Sequence, residues 1–174
     1  LLCLDDRRKK TGRDELVLLD FGSVLDCSGE FLYHLRSTIA AGMRGDSAGL
    51  VAGLTGLGCL QEDASEEGQQ MFADFCLHLL EPLQATEKLP GEYLNERGEY
   101  RWASSRLMRR AGKQAAASAT SRHFTPPSRD FALIARKLSG VFSFISVLEA
   151  EFNAHDMVMA HIERWEHKES RGQR

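Results

Sequence analysis

Phe131, Ile134, Leu138, Val141, Phe142, Ile145 and Leu148 follow one another at spacings that add up to turns of three and four residues. On a helix that spacing gathers them into one wide apolar stripe, whereas a strand would scatter them over both faces. A stripe of this length must find other elements to cover it, so it commits the chain to a helical body. Pro126 and Pro127 stand just before it, where prolines suit a helix start, and Thr125 is placed to cap it.

Shorter patterns of the same kind precede and follow. Phe31, Leu32, Leu35, Ile39 and Met43 predict a first helix, with Asp26 or Ser28 as its cap. Asp46 is placed to cap a second, carrying Leu50, Val51, Leu54 and Leu57. Gly49, Gly53, Gly56 and Gly58 weaken it, since a glycine in a helix interior costs roughly 1 kcal/mol against alanine. Ser65 opens a third with Met71, Phe72, Phe75, Cys76, Leu79 and Leu80 on its apolar side, and Pro82 at its end. Residues 85–100 read as a polar connector. Trp102 to Ser118 reads as one helix, and Met157, Val158, Ile162 and Trp165 mark the last. Residues 167–174 read as a frayed polar tail.

The start of the chain has a different texture. Leu1–Leu4 and Glu15–Leu19 are short apolar runs either side of "DDRRKKTGRD", a solvated loop holding Gly12. That is a β-hairpin pattern. A hairpin alone is marginal in water, so it is expected to lie against the helices. The fold class is therefore mainly α, an N-terminal β-hairpin packed on about six helices, forming one domain over residues 1–174. Leu1 stands where a strand is already under way, so residues belonging to a longer protein are expected before it.

Composition limits the function classes. The formal net charge is −3, which gives no electrostatic footprint for nucleic acid. No apolar run reaches the roughly 20 residues of a membrane helix. Cys3, Cys27, Cys59 and Cys76 include no C-x-x-C pair and no histidine at a zinc-ligand spacing. Cys59 and Cys76 sit among apolar residues and fit a reducing compartment, cytoplasmic, mitochondrial or plastid.

Several motifs do not survive their context. Gly45-Asp46-Ser47-Ala48-Gly49 matches G-x-S-x-G, but a nucleophile elbow needs a strand before the serine, and the residues before Ser47 are helical by pattern. "GLVAGLTGLG" has neither a preceding strand nor the Gly-Lys-Ser/Thr of a phosphate loop. His155, His161 and His167 are six residues apart, about 240° per step on a helix, so they do not share a face. Arg106, Arg109 and Arg110 do share one, which could meet phosphate or an acidic lipid surface, though a solvated face is the plainer reading.

"LVLLDFGSVLD" holds more. A buried-type strand runs into Asp20, Phe21 and Gly22, then a loop and helices. In protein kinases a short hairpin ends in the same three residues, and the carboxylate ligates Mg²⁺ on the nucleotide phosphates. The hard cation demands an oxygen donor, and the glycine lets the chain turn just past it. The plainer alternative is an aspartate that caps a turn above a core phenylalanine.

Two stretches resemble the UbiB/AarF family of atypical, protein-kinase-like proteins linked to ubiquinone biosynthesis. One is Leu18-Leu19-Asp20-Phe21-Gly22 with the following helix and "GDSAGLVAGLTGLGCL". The other, more specific, is Phe124-Thr125-Pro126-Pro127, then Arg136-Lys137-Leu138 and Gly140-Val141-Phe142, which is similar to the family's late "PP…RKL-x-G-x-F" signature. The resemblance spans Leu1 to about Trp165 and implies part of a protein-kinase-like C-lobe. It implies ATP and Mg²⁺ as cofactors, with Asp20 as metal ligand and Phe21 and Gly22 shaping the nucleotide loop. It implies peripheral membrane association or quinone-biosynthesis proteins as partners. Ser23 departs from the Met or Gln usual in the family. The "HPGN"-like catalytic loop, the nucleotide-covering loop, the strand lysine and its glutamate would all lie before Leu1. No catalytic residue is therefore carried over to this chain, and ATP hydrolysis by it alone is not expected. The alternative is a non-catalytic helical interaction module.

Overall fold

The computed structural model describes residues 2–3, 16–17, 26–61, 63–119 and 128–170, with the backbone alone at 2–3, 16–17, 117–119 and 169–170. Strands β1 (Leu2–Cys3) and β2 (Leu16–Val17) pair antiparallel, Leu2 opposite Val17 and Cys3 opposite Leu16. The loop expected between them, and the predicted seating of this pair on the helices, lie outside the described residues.

The rest is mainly helical. Helix α1 (Gly29–Arg44) starts where Ser28 Oγ accepts from the Phe31 amide at 3.1 Å, so Ser28 rather than Asp26 is the cap. It stops at Gly45, whose φ of 76° is the left-handed conformation that glycine takes without strain. Asp46 then caps α2 (Ser47–Gly56), accepting from the Gly49 amide at 2.9 Å. The glycines of α2 bring it close to α1. A Cβ on Gly53 would overlap Thr38 Oγ1 and stand 3.1 Å from Thr38 Cα, and one on Gly56 would overlap the His34 ring. Ser65 caps α3 (Glu66–Leu79), as its spacing predicts.

Leu50, Leu54, Leu57, Cys59, Ala73 and Cys76 close a first core between these three helices. At roughly 25 cal/mol per Å² of apolar surface removed from water, the three leucines contribute about 1.5–3 kcal/mol each.

The next segment departs from the polar connector predicted for 85–100. It holds one-turn helices at Glu81–Leu83, Thr86–Lys88 and Gly91–Tyr93 and a bridge between Leu94 and Tyr100. It also supplies core. Leu89, Tyr100 and Trp102 are buried with Leu107, Phe142 and Ala154 in a second cluster. Trp102 packs its ring 5.2 Å from Phe152 and 5.3 Å from Phe142. Asn153 fastens this region, accepting from the Tyr100 amide at 2.9 Å and donating to Gly98 O at 2.9 Å and Thr86 Oγ1 at 3.0 Å.

The helix predicted from Trp102 to Ser118 is two helices, α4 (Trp102–Ser105) and α5 (Leu107–Ala119). They are divided at Arg106, whose φ of 50° is left-handed. Holding an L-residue there costs about 1–2 kcal/mol, and nothing in the residue type announces it.

Helix α6 (Arg129–Val147) carries the long stripe. Its cap is Ser128, which accepts from the Phe131 amide and donates to Leu57 O at 2.7 Å; the predicted cap, Thr125, lies outside the described residues. The stripe is not all core. Phe142 is buried and Phe131 and Ile134 pack on the first cluster, but Leu138, Val141 and Leu148 are 42%, 53% and 51% exposed.

Helix α7 (His155–Ser170) runs through four of the residues predicted to fray. It is held on α1 by Ile162, fully buried against Ala40 and Met43, by a bidentate Arg44–Glu166 pair at 2.7 and 2.8 Å, and by Arg36 over Trp165 at 5.4 Å. Among the described residues no helix is long and apolar enough to cross a membrane.

Candidate functional site

Asp20, Phe21 and Gly22 lie outside the described residues. Val17, three residues before Asp20, is paired in the strand ladder. Among the described residues, no group of three or more His, Cys, Asp or Glu side chains is arranged to hold a metal ion.

Ser47 is the first residue of α2, directly after the left-handed Gly45 and the cap Asp46. The G-x-S-x-G match is thus a helix-to-helix turn, with its aspartate occupied by the Gly49 amide. The glycines of "GLVAGLTGLG" serve close helix approach at Gly53 and Gly56. Of the late signature, Arg136 and Lys137 stand exposed on α6 next to Leu138, while Phe142 enters the second core.

His155 contacts its neighbour Asp156, and His161 lies edge-on to Trp165. His78 is different: its Nε2 is buried with no hydrogen-bond partner among the described residues, and burial, then the nearby Arg110, lowers its pKa. Cys59 and Cys76 are buried thiols pushed up to about 12, Cys59 by burial and Cys76 by burial and by Cys59 beside it. Thiols so far from ionisation are packing groups, not nucleophiles.

The polar arrangement with the most structure centres on Glu81, which the sequence reading did not single out. Its carboxylate accepts from both Arg110 amino groups at 2.6 and 2.9 Å and from the Tyr100 hydroxyl at 2.6 Å. Arg110 also donates from Nε to Ser105 O at 2.9 Å and lies 4.5 Å over the Tyr93 ring. All the ways of fixing a guanidinium are in use: a bidentate carboxylate, a carbonyl and an aromatic face. Burial would raise the Glu81 carboxyl, but the hydrogen bonds from Arg110 and Tyr100 outweigh it and hold the acid below 4.5. The same pairing raises Arg110. The predicted basic face is therefore split in role: Arg110 is a structural member, while Arg106 and Arg109 stay exposed. Glu81 was hidden from the sequence because its partners are 19 and 29 residues away.

In comparisons with protein families, curated proteins and solved structures, nothing matches this chain.

Proposed function

We propose that this chain is the C-terminal portion of a UbiB/AarF-like atypical kinase or ATPase, in which Asp20 holds Mg²⁺ on ATP. Phe21 and Gly22 would shape the loop around it, and the strand pair would form one corner of a kinase-like C-lobe with the helices as its body. The observation that supports the reading is the pairing of β1 and β2, in which Val17 stands three residues before Asp20 in the sequence. A carboxylate is the right donor for a hard dication. Bound Mg²⁺ would neutralise charge on the transferring phosphates. Asp20 would place it, and the helices would hold the loop in position. Phosphoryl transfer rests on positioning and electrostatics assembled from several parts, so one metal ligand supplies little alone.

The chain alone is expected to show no ATP turnover, and a polypeptide extended upstream through a lysine-bearing strand and an "HPGN"-like loop is expected to turn over ATP until Asp20 is changed to Ala. Turnover by the chain alone that disappears in D20A, or turnover by the extended polypeptide that survives it, would overturn the reading.

One observation favours a second reading, a non-catalytic helical interaction module. Leu138, Val141 and Leu148 leave an apolar strip of α6 open to solvent. The upstream coding sequence separates the two readings. Kinase loops before Leu1 favour the enzyme, and a start site at Leu1 favours the module.

A further inference from the structure

We infer that the cleft between the Gly91–Tyr93 turn and the first turns of α5 binds a phosphate group, a phosphomonoester dianion being the ligand class it fits. The cleft is open to solvent and has a volume of about 460 Å³, room for a phosphate together with part of the molecule that carries it. Arg106, Arg109 and Lys113 line it, and among the described residues no carboxylate pairs with any of the three. In a chain of formal net charge −3, three unpaired cations gathered around one concavity repel each other, and an anion seated between them relieves that repulsion.

The surroundings are built rather than loose. Arg110 forms the cleft's wall, locked by Glu81 at 2.6 Å and by the Tyr93 ring at 4.5 Å, so its charge is already spent. Glu92 is the acid on the cleft's rim. Arg106, Arg109 and Lys113 outnumber that one carboxylate, an excess of positive charge that suits a dianion better than a singly charged ligand. Arg106 lines the cleft from a left-handed position just before α5, thirteen residues long, whose N-terminal dipole adds positive field beside it. Guanidinium forks match the spacing of phosphate oxygens, and the exposed Ser104 hydroxyl offers a further donor.

A phosphate group can arrive on a soluble ester or on a lipid headgroup, and two arms of one experiment distinguish them. The whole chain is titrated with glycerol 3-phosphate by calorimetry, and is sedimented with phosphatidylcholine vesicles with and without phosphatidic acid. The same is done with the R109Q/K113Q double variant and with K168Q as a control on α7; all three positions are exposed, and thermal melts check that each variant stays folded. Saturable binding in either arm is expected, weakened at least about tenfold by the double change and left alone by K168Q. Binding of the soluble ester alone assigns a metabolite-type ligand, and binding of the acidic vesicles alone assigns a headgroup. No binding in either arm, or equal binding by the double variant, overturns the inference.

Discussion

Replacing Glu81 with alanine removes the acceptor for two partners at once. The Tyr100 hydroxyl, on a side chain 0% exposed, loses its carboxylate, and a buried hydroxyl without an acceptor costs about 1–3 kcal/mol. Arg110 loses its counter-ion. Breaking a deeply buried pair costs about 3–5 kcal/mol and an exposed one under about 1. Arg110 is 27% exposed and keeps the Ser105 carbonyl and the Tyr93 face, so its loss falls between, at about 1–2 kcal/mol. Glu81→Ala should therefore lower the unfolding free energy by about 2–5 kcal/mol in urea titrations. At about 2–4 °C per kcal/mol for a chain of this size, the melting midpoint falls by roughly 4–20 °C. Glu81→Gln keeps an acceptor for Tyr100 and should cost about half as much. If Glu81→Ala stays within about 0.5 kcal/mol of the parent, as neutral surface changes do, the network has no part in holding the second core together.

Glu81 also sets an acid limb. Its folded value lies below 4.5, so its contribution is whole above that pH and is lost as pH falls through the folded value; Glu81→Gln should flatten stability between those points. At the alkaline end, Cys59 and Cys76 keep their protons to about 12 in the folded chain but release them near 9.0 when unfolded, so denaturant midpoints should fall as pH rises above 9.0, less so in Cys59→Ala. Two glycines should respond oppositely to alanine. Gly53→Ala drives a methyl into Thr38 and should destabilise by about 1–3 kcal/mol in urea, while Gly140→Ala meets nothing within 4 Å and should stabilise by about 0.5–1 kcal/mol.

What could be read in advance follows the range of the forces involved. Asp46 and Ser65 cap their helices through amides three residues on, so residue type and spacing were enough there, whereas at α1 they left Asp26 and Ser28 both open and Ser28 is the cap. The apolar periods of α1, α3 and α7 were legible for the same local reason. Tyr100 and Leu89 were not, because their burial depends on Trp102, Phe142 and Phe152 meeting them from distant segments. The break at Arg106 was invisible because arginine favours no left-handed turn. The stripe on α6 fixed a helix but not how much of it would be covered, since that depends on what lies opposite Leu138, Val141 and Leu148. At the cleft, the shared face of Arg106, Arg109 and Arg110 was evident, whereas the Glu81 partner that removes Arg110 from it comes from before the 85–100 segment.

Metal binding at Asp20 tests the central proposal most directly. Mn²⁺, which takes the same oxygen ligands as Mg²⁺, can be followed by its paramagnetic resonance as it titrates onto the upstream-extended polypeptide in the presence of ATP. The account predicts a nucleotide-dependent Mn²⁺ site that disappears in Asp20→Ala and persists in Asp46→Ala. An Mn²⁺–ATP site left intact by Asp20→Ala would contradict it.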